Sequence, residues 1–162
     1  LIMNKIILTL IVTLFLTSNT YAAGSSSSSS SSSNYDKAVK LIKSAKKYEK
    51  KDKVDKAKKN YEKAQKLLIK SNDKNPNNAD TLNYLGFTTR KLGDFTNGEK
   101  YYLQGLSIEP KHIGINEYLG ELYVATNRID LAKERLEVLK DCNCKEFNEL
   151  KDVIEGNKTS KY

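Results

Sequence analysis

From residue 34 to residue 156 the apolar positions fall three and four apart, the period of a helix packed on one side. Leu41, Ala45 and Tyr48 make one such stripe, and Ala57, Tyr61 and Ala64 make the next, with lysines and carboxylates between them. Three short polar stretches interrupt the stripes: Lys51-Asp52-Lys53, Gly93-Asp94 and Asn127-Arg128. Gly and Asn supply the left-handed conformation that ends a helix, and Asp can cap the helix that follows. The pattern therefore predicts helices in pairs. A last stripe, Phe147, Leu150 and Ile154, has polar residues between its members and is closed by Gly156. This predicts seven helices in all: three hairpins and a terminal amphipathic helix whose polar outer face caps an open apolar end.

The hairpins are copies of one another. Leu85-Gly86 returns 34 residues later as Leu119-Gly120, and the gapless alignment pairs Gly98 with Ala132, Tyr102 with Leu136, Gly105 with Leu139 and Pro110 with Cys144. An earlier copy holds Leu41, Ala45, Tyr48, Ala57, Tyr61 and Ala64 at matching spacings, but its proline, Pro76, arrives seven residues late. Seven residues are about two helical turns, so the second helix of this copy, over 54–72, is read as lengthened with its face preserved.

Leu-Gly, a Tyr three residues on, later small residues and a closing Pro make a sequence that resembles the tetratricopeptide repeat family. It also looks like exported members of that family from proteobacteria. Asn116, Thr89, Gly98, Gly105 and Cys144 depart from the family pattern, and the two glycines are expected to weaken the second helix of the middle unit. The resemblance implies an all-α fold, a short helical-hairpin solenoid. Its units cover about 38–78, 79–112 and 113–146, with the capping helix at 145–156, and together they form one domain over 34–156. Ala45, Gly86 and Gly120 would let helices approach, and Tyr48, Leu85, Tyr102, Leu119 and Leu136 would fill the spaces between units.

The rest of the chain reads differently. Residues 1–22 carry Lys5, an apolar run over 6–16 and Thr20-Tyr21-Ala22, the layout of a cleavable export signal starting at Met3. The serines at 25–33 place a flexible linker at 23–33, and 157–162 reads as a disordered tail. A periplasmic or secreted location follows, without stable membrane insertion once the signal is removed. The formal charge of +8 is uneven. Residues 34–74 hold 15 lysines and 6 carboxylates, whereas 75–162 hold 12 basic and 14 acidic residues. Export argues against nucleic acid as a partner, and the lysines read as a solvated outer face.

Chemistry is sparse. Cys142 and Cys144 are the chain's two cysteines. Export favours a disulfide between them, with free or intermolecular thiols and metal binding as the other readings. His112 is the sole histidine, which leaves a metal site short of its usual four ligands, so neither metal nor cofactor is expected. No phosphate loop or nucleophile motif is present, and the chain reads as a non-enzyme. In the resembled fold the first helix of each unit lines a concave groove. Ile42, Lys46 and Glu49, then Asn83, Phe87 and Arg90, then Glu117, Glu121 and Val124 form equivalent stripes away from the packing pattern. Ile42, Lys46, Asn83, Phe87, Arg90, Glu117 and Glu121 are thus candidates to hold a protein or peptide. The alternative is a thiol-redox or metal-binding protein acting through Cys142 and Cys144.

Overall fold

A computed structural model describes residues 33–158. The segment read as an export signal, most of the serine tract and residues 159–162 lie outside the described residues. Seven helices form, with no strand among the described residues: α1 (Asn34–Glu49), α2 (Val54–Lys74), α3 (Ala79–Lys91), α4 (Phe95–Ile108), α5 (Ile113–Ala125), α6 (Ile129–Val138) and α7 (Lys145–Ile154).

Local chemistry sets the boundaries. Ser33, read from sequence as the last linker residue, instead opens α1 with a capping box. Its hydroxyl accepts from the Asp36 backbone N–H at 3.1 Å, and Asp36 accepts from the Ser33 N–H at 3.1 Å. The Asn78 and Asp94 side chains cap α3 and α4 by accepting from the Thr81 and Asn97 backbone N–H groups, and His112 caps α5 through its ring, Nδ1 accepting from the Ile115 N–H at 3.1 Å. The turns reverse through Asp52, Gly93 and Asn127, all at positive φ. Asn and Asp tolerate this region, and glycine enters it freely. The sequence predicts that Asn157 and Lys158 belong to a disordered tail, and the structure differs. They fold back on α7, and both backbone N–H groups bond the Asp152 carbonyl.

The helices pack in pairs, α1 on α2, α3 on α4 and α5 on α6, and each pair rests on the next through α2–α3, α4–α5 and α6–α7. Contacts between α1 and α3, α3 and α5, and α5 and α7 bring the first helices into one row. Ala38, Ile42, Ala45, Ala57, Tyr61, Ala64 and Leu68 fill the first hairpin and join Leu82, Leu85 and Phe87 of the second. Tyr102, Ile115, Leu119, Leu122 and Ala132 fill the space beyond. In α7 the deeply buried residues are Leu150 and Val153, while Phe147 and Ile154 are half-buried. The last stripe is therefore rotated from the sequence expectation, because α7 must meet both α5 and α6.

The glycines of the second hairpin have a packing role that the repeat pattern alone does not give. α4 runs unbroken through Gly98 and Gly105. A Cβ on Gly98 would stand 3.2 Å from the Gly86 carbonyl oxygen and from Arg90 Cβ, and one on Gly105 would collide with Ile115 Cδ1. On the facing helix, a Cβ on Gly86 would lie 2.5 Å from the Tyr102 ring. The missing side chains allow two helices and a tyrosine ring to share that volume.

Candidate interaction groove

The groove candidates of the sequence lie on α1, α3 and α5, and the structure places them mostly underneath the surface. Ile42, Asn83, Phe87, Arg90, Glu117 and Glu121 are all 6% exposed or less. The expectation that these stripes avoid the packing set is corrected. Neighbouring helices cover them: α3 lies against α1, α5 against α3, and α7 against α5. Phe87 stacks between units, its ring 5.8 Å from Tyr61 and 5.0 Å from Tyr118. Lys46 remains half-buried and reaches across both neighbours. Its Nζ donates to Tyr118 Oη at 3.1 Å and stands 4.4 Å from the centre of the Phe87 ring.

Behind this surface lies a buried charged layer. Arg90 Nη2 donates to Glu121 Oε2 at 3.2 Å with both side chains fully enclosed, and Arg90 Nη1 donates to the Tyr118 carbonyl. Burial pulls the Arg90 guanidinium below its usual range, and Tyr102, Glu121, Tyr118 and Glu117 pull it back up. Burial likewise pushes the Tyr118 hydroxyl above its usual range, with Glu117 adding to the effect. Tyr118 is thus a neutral phenol that can accept from Lys46. Charges enclosed in this way are costly unless paired, so this layer fixes α3 against α5 and does not read a ligand directly.

The accessible part of the groove is a depression of about 730 Å³ lined by Lys46, Glu49, Lys50, Phe87, Lys91, Glu149 and Lys158. Phe87 backs it, and α1, α3, α7 and the turn after α7 supply its rim. Lysines dominate that rim. Glu49 is engaged within it: Lys91 Nζ lies 2.6 Å from Glu49 Oε1, and Tyr61 Oη donates to Glu49 Oε2 at 2.9 Å. Lys50 and Lys158 are exposed. Of the sequence stripes, the structure brings Lys46, Glu49 and Phe87 to this depression. Lys50, Lys91, Glu149 and Lys158 were missed. Lys50 and Lys91 had a usable signal, since Lys50 is one turn past Lys46 and Lys91 is its counterpart one unit on.

Cys142 and Cys144 lie away from the groove, in the turn before α7, and are joined in a disulfide. His112 Nε2 lies 3.2 Å from Asp80 Oδ1.

The model of the Tetratricopeptide repeat family matches residues 79–112, the stretch that holds α3 and α4. No curated protein sequence matches the chain. Among solved structures the chain is similar to the first TPR of Spaghetti (RPAP3) bound to the HSP90 peptide SRMEEVD. The TM-score is 0.52 and the identity 22%, over 77% of this chain and 96% of that one.

Proposed function

We propose that this chain, whose helical hairpins are similar to tetratricopeptide repeats, is a non-catalytic interaction module that holds a segment of another protein in the concave face of α1, α3, α5 and α7, and that it works after export. The observation that carries the reading is the rim of the depression, where Lys46, Lys50, Lys91 and Lys158 surround a backing of Phe87. Lysine ammonium groups above an aromatic ring suit a segment that carries both carboxylates and an apolar side chain. The similar structure holds a peptide with two adjacent glutamates, which agrees in sign. No helix of the described residues is long and apolar enough to cross a membrane. The apolar run at 6–16 supports export followed by removal of the leader, with the serines as a spacer.

Two measurements test the proposal. Fluorescence anisotropy with labelled SRMEEVD and with the same peptide carrying Lys for Glu should show binding of the acidic form only, weakening as salt rises. Lys50→Glu with Lys158→Glu should abolish that binding while leaving helicity intact, since both side chains are exposed. Equal binding of the two peptides, or binding indifferent to the double variant, removes the groove from consideration. Amino-terminal sequencing of the exported form should begin near Ala23. A chain beginning at Met3 and sedimenting with membranes would replace export by anchoring.

A further inference from the structure

The disulfide between Cys142 and Cys144 has no evident structural task. It joins residues two apart in sequence, with Cα atoms separated by 5.1 Å. A cross-link stabilises a fold by shrinking the unfolded ensemble, and the effect grows with the length of the loop it closes. Here the loop contains one residue. Nor does the bond tie α6 to α7, because both cysteines belong to the connecting turn. The packing of that end is carried by Leu139, Leu150 and Val153, each 3% exposed or less. A Cβ on Gly120 would meet the Leu150 side chain at 2.5 Å, so α7 seats closely on α5 through contacts that involve neither cysteine.

The bond is reachable. Both cysteines are only partly buried. Cys144 lines an open depression of about 540 Å³ together with Lys140, Asn143, Lys145, Phe147 and Asn148. Its two sulfurs also stand in unlike surroundings. Cys144 is the N-cap residue of α7, and no side chain caps that helix. Backbone N–H groups of the first turn therefore point toward the Cys144 side and favour negative charge there. Lys145 follows it, shared with Glu146 at 3.8 Å and Glu149 at 4.0 Å. Cys142 follows Asp141, whose carboxylate opposes a thiolate. On the far side Lys140 is engaged with Glu137 at 3.0 Å.

We propose that Cys142–Cys144 is a thiol–disulfide exchange site that accepts electrons from a dithiol, with Cys142 as the sulfur attacked and Cys144 as the leaving thiolate. Exchange is fastest when the departing sulfur is the more stable anion, and the helix terminus makes that sulfur Cys144. One thiolate of the dithiol attacks Cys142 Sγ. The bond to Cys144 breaks, its electron pair stays on Cys144, and a mixed disulfide forms on Cys142. The second thiolate of the dithiol then attacks its own partner sulfur and releases Cys142. Two electrons pass to the protein, the dithiol leaves as a disulfide, and its two protons are taken up by Cys142 and Cys144.

The test uses the full exported chain in its oxidised form. One glutathione forms the mixed species, and N-ethylmaleimide added early traps it before Cys144 re-attacks or a second glutathione completes the reduction. Peptide mass spectrometry should find glutathione on Cys142 and the maleimide on Cys144. Asp141→Asn should reduce that bias, which a merely structural bond would not do. Dithiothreitol should then reduce the bond completely with the circular dichroism spectrum unchanged, and Cys142→Ser with Cys144→Ser should fold with undiminished helicity. Glutathione found on Cys144, a bond that resists dithiothreitol in the folded chain, or loss of helicity on reduction would each overturn the proposal.

Discussion

The first two hairpins align residue for residue at an offset of 41 positions, and they solve the same packing problem with different chemistry. Where α1–α2 has Ala45, Ala57 and Ala64, α3–α4 has Gly86, Gly98 and Gly105. Tyr61 and Tyr102 occupy one equivalent site, and both are enclosed. Facing them stand residues of opposite charge. Tyr61 donates its hydroxyl to Glu49 at 2.9 Å, whereas the Tyr102 ring lies 6.0 Å from the Arg90 guanidinium. The first hairpin ends the row, so Glu49 keeps contact with solvent and with Lys91. The second is flanked on both sides, so Arg90 is sealed against Glu121 of α5. Position in the stack, more than the repeat pattern, decides whether a charge on this stripe is a surface group or a buried one.

The comparison breaks most sharply at the charge itself. Arg90→Met should cost about 3–5 kcal/mol, because it leaves Glu121 enclosed without its cation. Glu49→Met, the equivalent change, should cost less, about 1–2 kcal/mol, since its pair with Lys91 is partly solvated and the main loss is the acceptor of the Tyr61 hydroxyl. Urea unfolding measures both. Adding Glu121→Met to Arg90→Met should recover much of the loss. A double variant as unstable as the sum of its parts would mean that the two charges do not act as a pair.

Phe87 and Lys46 share the next equivalent position. Phe87→Ala should destabilise the chain by about 3–5 kcal/mol, since it empties a site between Tyr61 and Tyr118. Lys46→Ala should cost about 1 kcal/mol, mainly the contact with the Phe87 ring. If thermal melting separates the two variants by less than their common error, Phe87 is not a keystone between units.

These two positions also show what could be read from the chain before its structure. Helix number, pairing and turn residues followed from local periodicity, because Leu-Gly spacing and Gly93 or Asn127 act within one hairpin. The burial of Phe87, Arg90, Glu117 and Glu121 did not, because what covers them comes from other units. A stripe that avoids its own hairpin's packing face can still be enclosed by its neighbours. The groove rim was half visible: Lys46 was found, whereas Lys158 enters by a backbone turn after α7 that polar residues gave no reason to expect.

The small residues give a smaller and opposite pair of effects. Gly98→Ala gains helix propensity of about 1 kcal/mol, but its Cβ would press on the Gly86 carbonyl and on Arg90, neither free to move. A net loss of about 1 kcal/mol is expected, in the range of overpacked sites. At Ala57, where a Cβ already fits and is buried, Ala57→Gly should lose about 1–2 kcal/mol through propensity and the lost methyl contact. The two hairpins should thus reject each other's residue. A stabilising Gly98→Ala would show that α3 and α4 can separate at little cost.

The smallest difference lies at the entrance to each second helix. Asp94 accepts from the Asn97 backbone N–H at 3.0 Å, and that bond, followed by the Asn97 side chain, holds its carboxyl below the usual carboxylate range. A lowered folded-state value means the contribution is present above the unfolded value and fades as pH falls through the folded one. Lys53 fills the equivalent site in the first hairpin, with no side-chain cap and with a cation at the positive end of the α2 dipole. Lys53→Asp supplies both the missing acceptor and the favourable charge, so it should stabilise the chain by about 1 kcal/mol. Because the new group would be a carboxylate, the gain should appear at neutral pH and shrink in acid, as the contribution of Asp94 does. Melting curves of Lys53→Asp and the parent chain at neutral and acid pH decide the point. A gain that persists undiminished in acid would come from removing a lysine in a crowded basic hairpin, and the capping explanation would fall.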